Sequence, residues 1–218
     1  MQTGLVQKPE YLPPIASRAR QTALPRLKEF DAGLIALGAA LNVSVGYLAG
    51  LLKLPLYLDS IGTILISALC GWAYGAIAGL AALVILALTA VPTVIAYAGT
   101  AIAIALVSSV LVRFGFLRSL RATIAGGLVL GLTAAVVSAP VTTFLYGGVS
   151  LAGADAVTTF FRAMGISLWK SALLGSLVTD TIDKLITAFI CFGLARSLPR
   201  RMRERIGKKP DVRSQDAE

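Results

Sequence analysis

Long stretches without a charged residue dominate the chain, and short charged connections separate them. Residues 32–52 carry no Asp, Glu, Lys or Arg. That predicts one helix across a bilayer, because a crossing takes roughly 20 mostly apolar residues. Residues 60–112 are 53 consecutive uncharged positions, too many for one crossing, and Pro92 divides them. Residues 122–154 make another uncharged stretch, interrupted by Pro140 and by Gly147-Gly148. A last apolar run, residues 171–195, holds Asp180, Asp183 and Lys184. The pattern predicts an all-α integral membrane protein, multi-pass in a cell (inner or plasma) membrane.

As a single helix, residues 60–91 would be about 48 Å long, against a hydrocarbon core of about 30 Å. The placement of charge decides how they are divided. Lys8, Arg18, Arg20, Arg26 and Lys28 precede the first run, and eight basic residues from Arg196 to Arg213 follow the last. Basic residues are retained on the cytoplasmic side, so both ends are expected there. An even number of crossings follows, and residues 60–91 must cross twice, with the break at Cys70-Gly71-Trp72. Six spans then place Arg113, Arg118 and Arg121 in a further cytoplasmic connection, so that sixteen of the twenty basic residues lie inside. The expected organisation is a basic, flexible cytosolic arm over residues 1–28, a six-helix transmembrane domain over residues 29–198 and a charged, flexible tail over residues 199–218. No apolar leader is apparent in the arm, which contains Pro9, Pro13, Pro14 and Pro25. The basic tail either touches anionic lipid headgroups or serves only to set topology, and no nucleic-acid partner is expected.

Composition narrows the function classes. The chain of 218 residues is 56% hydrophobic and 14% charged, with a net charge of +9 and a mean hydropathy of +0.80. Soluble domains carry about 25% charged residues. Histidine is absent, which removes His-based triads, HExxH zinc sites and histidine pH switches. Cys70 and Cys191 sit in apolar runs without metal-ligand spacing and read as buried core thiols. Gly165 to Ser171 distantly resembles a phosphate-binding loop, but Trp169 occupies the second glycine position. No nucleotide site, cofactor motif or serine nucleophile motif is present, so neither an enzyme nor a cofactor is expected.

Small residues recur at spacing four: Gly71, Gly75 and Gly79; Gly127 and Gly131; Gly46 and Gly50. They predict close helix contacts within the bundle. Ala32, Ala36 and Ala40 repeat the spacing on the first helix, beside the cytosol, where a smooth stripe equally suits a helix from another protein. Ionisable groups inside a membrane mark function by default. Those groups are Asp59, Asp180, Asp183 and Lys184, with Asp180 and Lys184 expected to pair at i, i+4. Asp183 faces away from Asp180 and requires another partner. The long outer connection from Tyr146 to Lys170 contains Asp155, Arg162 and Trp169 and is either a lid over a cavity or a plain surface loop. Tyr57, Tyr97 and Tyr146 are expected near the outer interface.

Leu54-Pro55-Leu56-Tyr57-Leu58-Asp59-Ser60-Ile61-Gly62-Thr63 resembles the start of the second helix in substrate-binding S components of energy-coupling factor (ECF) vitamin transporters. The Gly71 to Gly79 ladder follows at a similar distance. Pro140, Gly147-Gly148, Asp183-Lys184 and Leu198-Pro199-Arg200-Arg201 look like that family's last third, and Ala36-Leu37-Gly38-Ala39-Ala40 looks like its first-helix signature. The resemblance covers about residues 30–202; the long basic tail is not part of it. It implies a six-helix protein that binds a vitamin-like micronutrient near the outer face and docks on a membrane coupling subunit with cytosolic ATPases. The candidate substrate-binding residues are Tyr57, Asp59, Tyr146, Trp169, Lys170, Asp180, Asp183 and Lys184, and the implied docking stripe is Ala32, Ala36 and Ala40. The alternatives are a membrane sensor or anchor module and a stand-alone facilitator.

Overall fold

A computed structural model describes residues 29–148 and 155–206. Expectations about the N-terminal arm, the last twelve residues and residues 149–154 of the outer connection lie outside the described residues. The described chain is all-helical, with α1 (Glu29–Leu51), α2 (Ile61–Cys70), α3 (Trp72–Thr89), a 3-10 segment (Pro92–Tyr97), α4 (Ala98–Arg113), α5 (Leu120–Tyr146), α6 (Asp155–Ala163), α7 (Leu168–Ser197) and the single turn α8 (Arg200–Arg203). Four stretches are long and apolar enough to cross a membrane: Asp31–Leu51, Trp72–Thr89, Pro92–Arg113 and Leu120–Tyr146. The arrangement is that of a multi-pass membrane bundle.

Its surface bears this out. Large apolar side chains such as Leu37, Leu88, Leu132, Val136 and Phe144 face outward, while Asn42, Thr63, Ser138, Asp180, Asp183 and Lys184 are buried. A water-soluble domain distributes these types the other way. Hydrocarbon supplies no hydrogen-bond partners, so a lipid-embedded chain turns polar groups inward and satisfies them there.

The long uncharged run breaks where glycine permits it. Gly71 has φ +102° and separates α2 from α3. The two helices return against one another through Gly75 and Gly79. A Cβ on Gly75 would fall 1.9 Å from Ser67 Oγ, and one on Gly79 2.7 Å from Thr63 Oγ1. Gly127 and Gly131 do the same between α5 and α7, where a Cβ on Gly131 would meet Thr181 Cα at 2.6 Å. Of the remaining small-residue positions, Gly50 has nothing within 4 Å. The tightest approach to another helix's backbone is one the spacing rule does not reveal. A Cβ on Gly62 would lie 2.0 Å from the carbonyl oxygen of Gly38, which sets the α1–α2 crossing. Cys70 and Cys191 are buried free thiols, as expected.

Three features differ from expectation. All ten residues of α2 are buried, yet at about 1.5 Å per residue the helix reaches only about half the hydrocarbon thickness. The non-helical residues 52–60 continue the path. Pro140 does not interrupt its helix, because α5 runs on to Tyr146 and ends at Gly147 in the left-handed conformation. The Thr142 and Thr143 hydroxyls donate to the Ser138 and Ala139 carbonyls around the proline, at 3.2 and 2.8 Å. The connection between α5 and α7 contains the amphipathic helix α6, seated on α7 where Gly175 faces Thr158.

One end of the bundle gathers three segments distant in sequence. Arg205 lies 4.0 Å from Asp31 at the start of α1. Arg118, between α4 and α5, donates to the Ile206 carbonyl at 3.4 Å. Ile206 is buried and joins the same apolar core as Phe116 and Leu117. Of the tail expected after Pro199, the described portion therefore packs at least as far as Ile206.

Candidate functional site

The opposite end holds a cavity of about 740 Å³. α1 contributes Gly46, Tyr47 and Gly50, and the α1–α2 connection contributes Lys53, Tyr57, Asp59 and Ser60. The far end of α3, the 3-10 segment and the start of α4 supply Leu86, Thr89, Tyr97 and Thr100. Ser138 of α5 and Asp180 and Lys184 of α7 complete the wall. Gly46 is small for a reason: a Cβ there would sit 3.1 Å from the Asp59 Cβ.

The charged group behind this wall is organised around Asp183, which is 0% exposed. Its Oδ1 accepts from the backbone N–H groups of Tyr57 and Leu58, at 3.0 and 2.7 Å. Its Oδ2 forms an ion pair with Lys184. Residues 57 and 58 lie outside any helix, and Leu58 has φ +52°. Their N–H groups have no intrahelical partner, and at membrane depth each unsatisfied group costs several kcal/mol. Asp183 supplies what a helix would have supplied. Asn42 performs the corresponding task one turn on. Its Oδ1 accepts from Gly62 N at 2.6 Å, and its Nδ2 donates to Thr63 Oγ1 at 2.9 Å, fastening the start of α2 to α1.

The expected pairing of Asp180 with Lys184 is not what forms. Lys184, 3% exposed, turns to the adjacent Asp183, whose carboxylate the backbone of residues 57 and 58 already fixes. Asp180 faces α5 instead, and its Oδ2 accepts from the Ser138 hydroxyl at 2.8 Å. Helical spacing permits the i, i+4 contact; the neighbouring segments decide against it.

Of the eight candidate binding residues, Tyr57, Asp59, Asp180 and Lys184 line the cavity. Asp183 stands behind it as a fastening group. The cavity does not include Tyr146, Trp169 or Lys170. The Tyr146 hydroxyl donates to the Thr93 carbonyl at 2.7 Å, and its ring lies 6.2 Å from that of Tyr97. Trp169 packs on Phe144 at 5.7 Å and remains exposed. Lys170 is exposed. These last two lie on the exposed surface at the start of α7, which extends past the cavity. Asn42, Ser138, Tyr47 and Thr100 join the site without having been among the expected residues. A lone Asn in an uncharged run was the available signal for the first; nothing in the local sequence marks the others.

A second concavity, of about 640 Å³, carries no charged residue on its wall. It is an open groove between α1 and α3, lined by Ala32, Ala36, Ala40, Ile77, Ala81 and Ile85 among others. All three alanines of the expected stripe are exposed in it. No group of three or more potential metal ligands occurs among the described residues. No protein-family model, curated protein or solved structure matches the chain.

Proposed function

We propose that this chain is the solute-capturing membrane subunit of an ECF-type importer, taking a small vitamin-like micronutrient from outside the cell (inner or plasma) membrane. The observation that carries the proposal is the separation of two concavities: a cavity at one end with charged and hydroxyl groups set in a largely apolar wall, and an apolar small-residue groove on the flank. The first suits a hydrated solute. The second suits a helix of a coupling subunit, because alanine lets another backbone approach closely. The chain bears no nucleotide-binding motif, so uphill transport requires energy from a partner, here cytosolic ATPases bound to the coupling subunit.

In this reading the chain crosses six times, with α2 and its irregular approach completing one crossing and α7 another, and both termini are cytoplasmic. The meeting of Asp31, Arg118 and Ile206 at one end supports an even count.

Uptake and binding, measured separately, test the proposal. Ala36→Trp fills the groove and is expected to abolish ATP-dependent uptake while the purified protein keeps its solute affinity. Equal loss of both would make the stripe part of internal packing and remove the docking role. Undiminished uptake in cells lacking ECF ATPases would establish a stand-alone facilitator instead.

A further inference from the structure

We infer that the cavity takes a small organic cation, its N–H-bearing positive group held between Asp59 and Asp180 and its apolar part against Leu83, Leu86 and Ile104. The inference rests on the solute-binding reading above and gives it a chemical class.

The charge inventory of the wall carries the argument. Its charged residues are Lys53, Asp59, Asp180 and Lys184. Asp183 lies outside the wall and forms the ion pair with Lys184, so three carboxylates, Asp59, Asp180 and Asp183, share one buried ammonium. Lys53 is exposed, so water screens its ammonium. Two carboxylates remain on the wall without a buried cation of their own. Asp180 has the Ser138 hydroxyl as a neutral donor, and a hydroxyl does not neutralise a charge. Uncompensated carboxylates at membrane depth are expensive, and a ligand that brings positive charge and N–H donors offsets that cost. An anion meets repulsion there, and a neutral solute leaves both carboxylates as they were.

Two independent features of the same wall agree. Ser60 and Thr100 line the cavity at 4% and 9% exposure, and neither hydroxyl has a hydrogen-bond partner. Buried hydroxyls without partners are uncommon, and each can accept from an N–H donor. The rings of Tyr47, Tyr57 and Tyr97 also belong to the wall, and aromatic faces attract cations within about 6 Å. The apolar side chains opposite accommodate a hydrocarbon or ring portion. The volume of about 740 Å³ fits a molecule of that build.

Three probes of matched shape test the charge class on the full chain in detergent: benzamidine, benzamide and benzoate. Saturable thermal stabilisation is read for each, together with the dissociation constant. Benzamidine is expected to stabilise the protein, with benzamide and benzoate at least about tenfold weaker. Asp59→Asn and Asp180→Asn are each expected to raise the benzamidine dissociation constant about tenfold; two separate variants guard against one that does not fold. Preference for benzamide or benzoate would overturn the cation assignment while leaving the cavity a solute site. So would benzamidine binding unchanged in both variants. Stabilisation by none of the three also overturns it, and uptake by the unmodified chain then shows whether the transport reading survives alone.

Discussion

The cavity and the groove enclose similar volumes, about 740 and 640 Å³, and α1 contributes to both. Its N-terminal half presents Ala32, Ala36 and Ala40 outward, and its C-terminal half presents Gly46, Tyr47 and Gly50 to the cavity. What separates the two is the route of the chain beyond them. Beside the groove, α3 is an ordinary helix whose backbone satisfies itself. Beside the cavity, residues 52–60 leave helical geometry: the amides of Leu52, Lys53 and Leu54 still reach carbonyls of α1, but those of Tyr57 and Leu58 are met by Asp183 from α7. Polar chemistry collects where regular structure stops. The groove carries no comparable demand and stays apolar.

Several substitutions would break or sharpen this contrast. The largest effect is expected at Asp183→Ala, which orphans the Tyr57 and Leu58 amides and leaves Lys184 buried without its partner. The loss is about 3–5 kcal/mol, read as a collapse of the folded yield or midpoint in detergent. A variant as stable as the parent would show that residues 52–60 need no fastening. Next is Gly62→Val, whose side chain meets the Gly38 carbonyl. Displacing α2 from α1 should cost about 1–3 kcal/mol, and Gly50→Val, with nothing within 4 Å, should cost far less in the same unfolding assay. Ser138→Ala removes one hydrogen bond to Asp180 and should lower stability by about 0.6 kcal/mol, while weakening cation binding more than it weakens the fold. Smallest is Trp169→Ala. The ring packs on Phe144 outside the cavity, so probe affinity should stay within about twofold; a large change would bring the start of α7 into the binding site.

Much of the bundle was legible in the sequence. The run of uncharged residues from 60 to 112 could not be one helix, and Gly71, flanked by apolar residues, was the natural break. Gly75, Gly79, Gly127 and Gly131 announced close crossings because their spacing puts them on one face of a helix. Asp59, Asp180 and Lys184 were identifiable as candidate site residues from the cost of charge in lipid, and Tyr57 only from the resemblance carried by residues 54–63. Tyr146, Trp169 and Lys170 were not distinguishable from them, since proximity to the same connection says nothing about which way a side chain turns. Asn42 and Ser138 serve the site through partners 20 and 42 residues away, and no local pattern encodes such distances.

The division follows from the range of the forces involved. Helix periodicity and the penalty for charge in hydrocarbon act through each residue's own neighbourhood, so the sequence by itself determined an all-helical membrane bundle, its main break and its small-residue seams. Whether Lys184 pairs with Asp180 or Asp183 depends on which carboxylate the amides of residues 57 and 58 already hold. Those amides arrive from more than 120 residues away. Only the tertiary structure brings them there, and only then does an acidic position become a fastening for the backbone or a wall of the cavity.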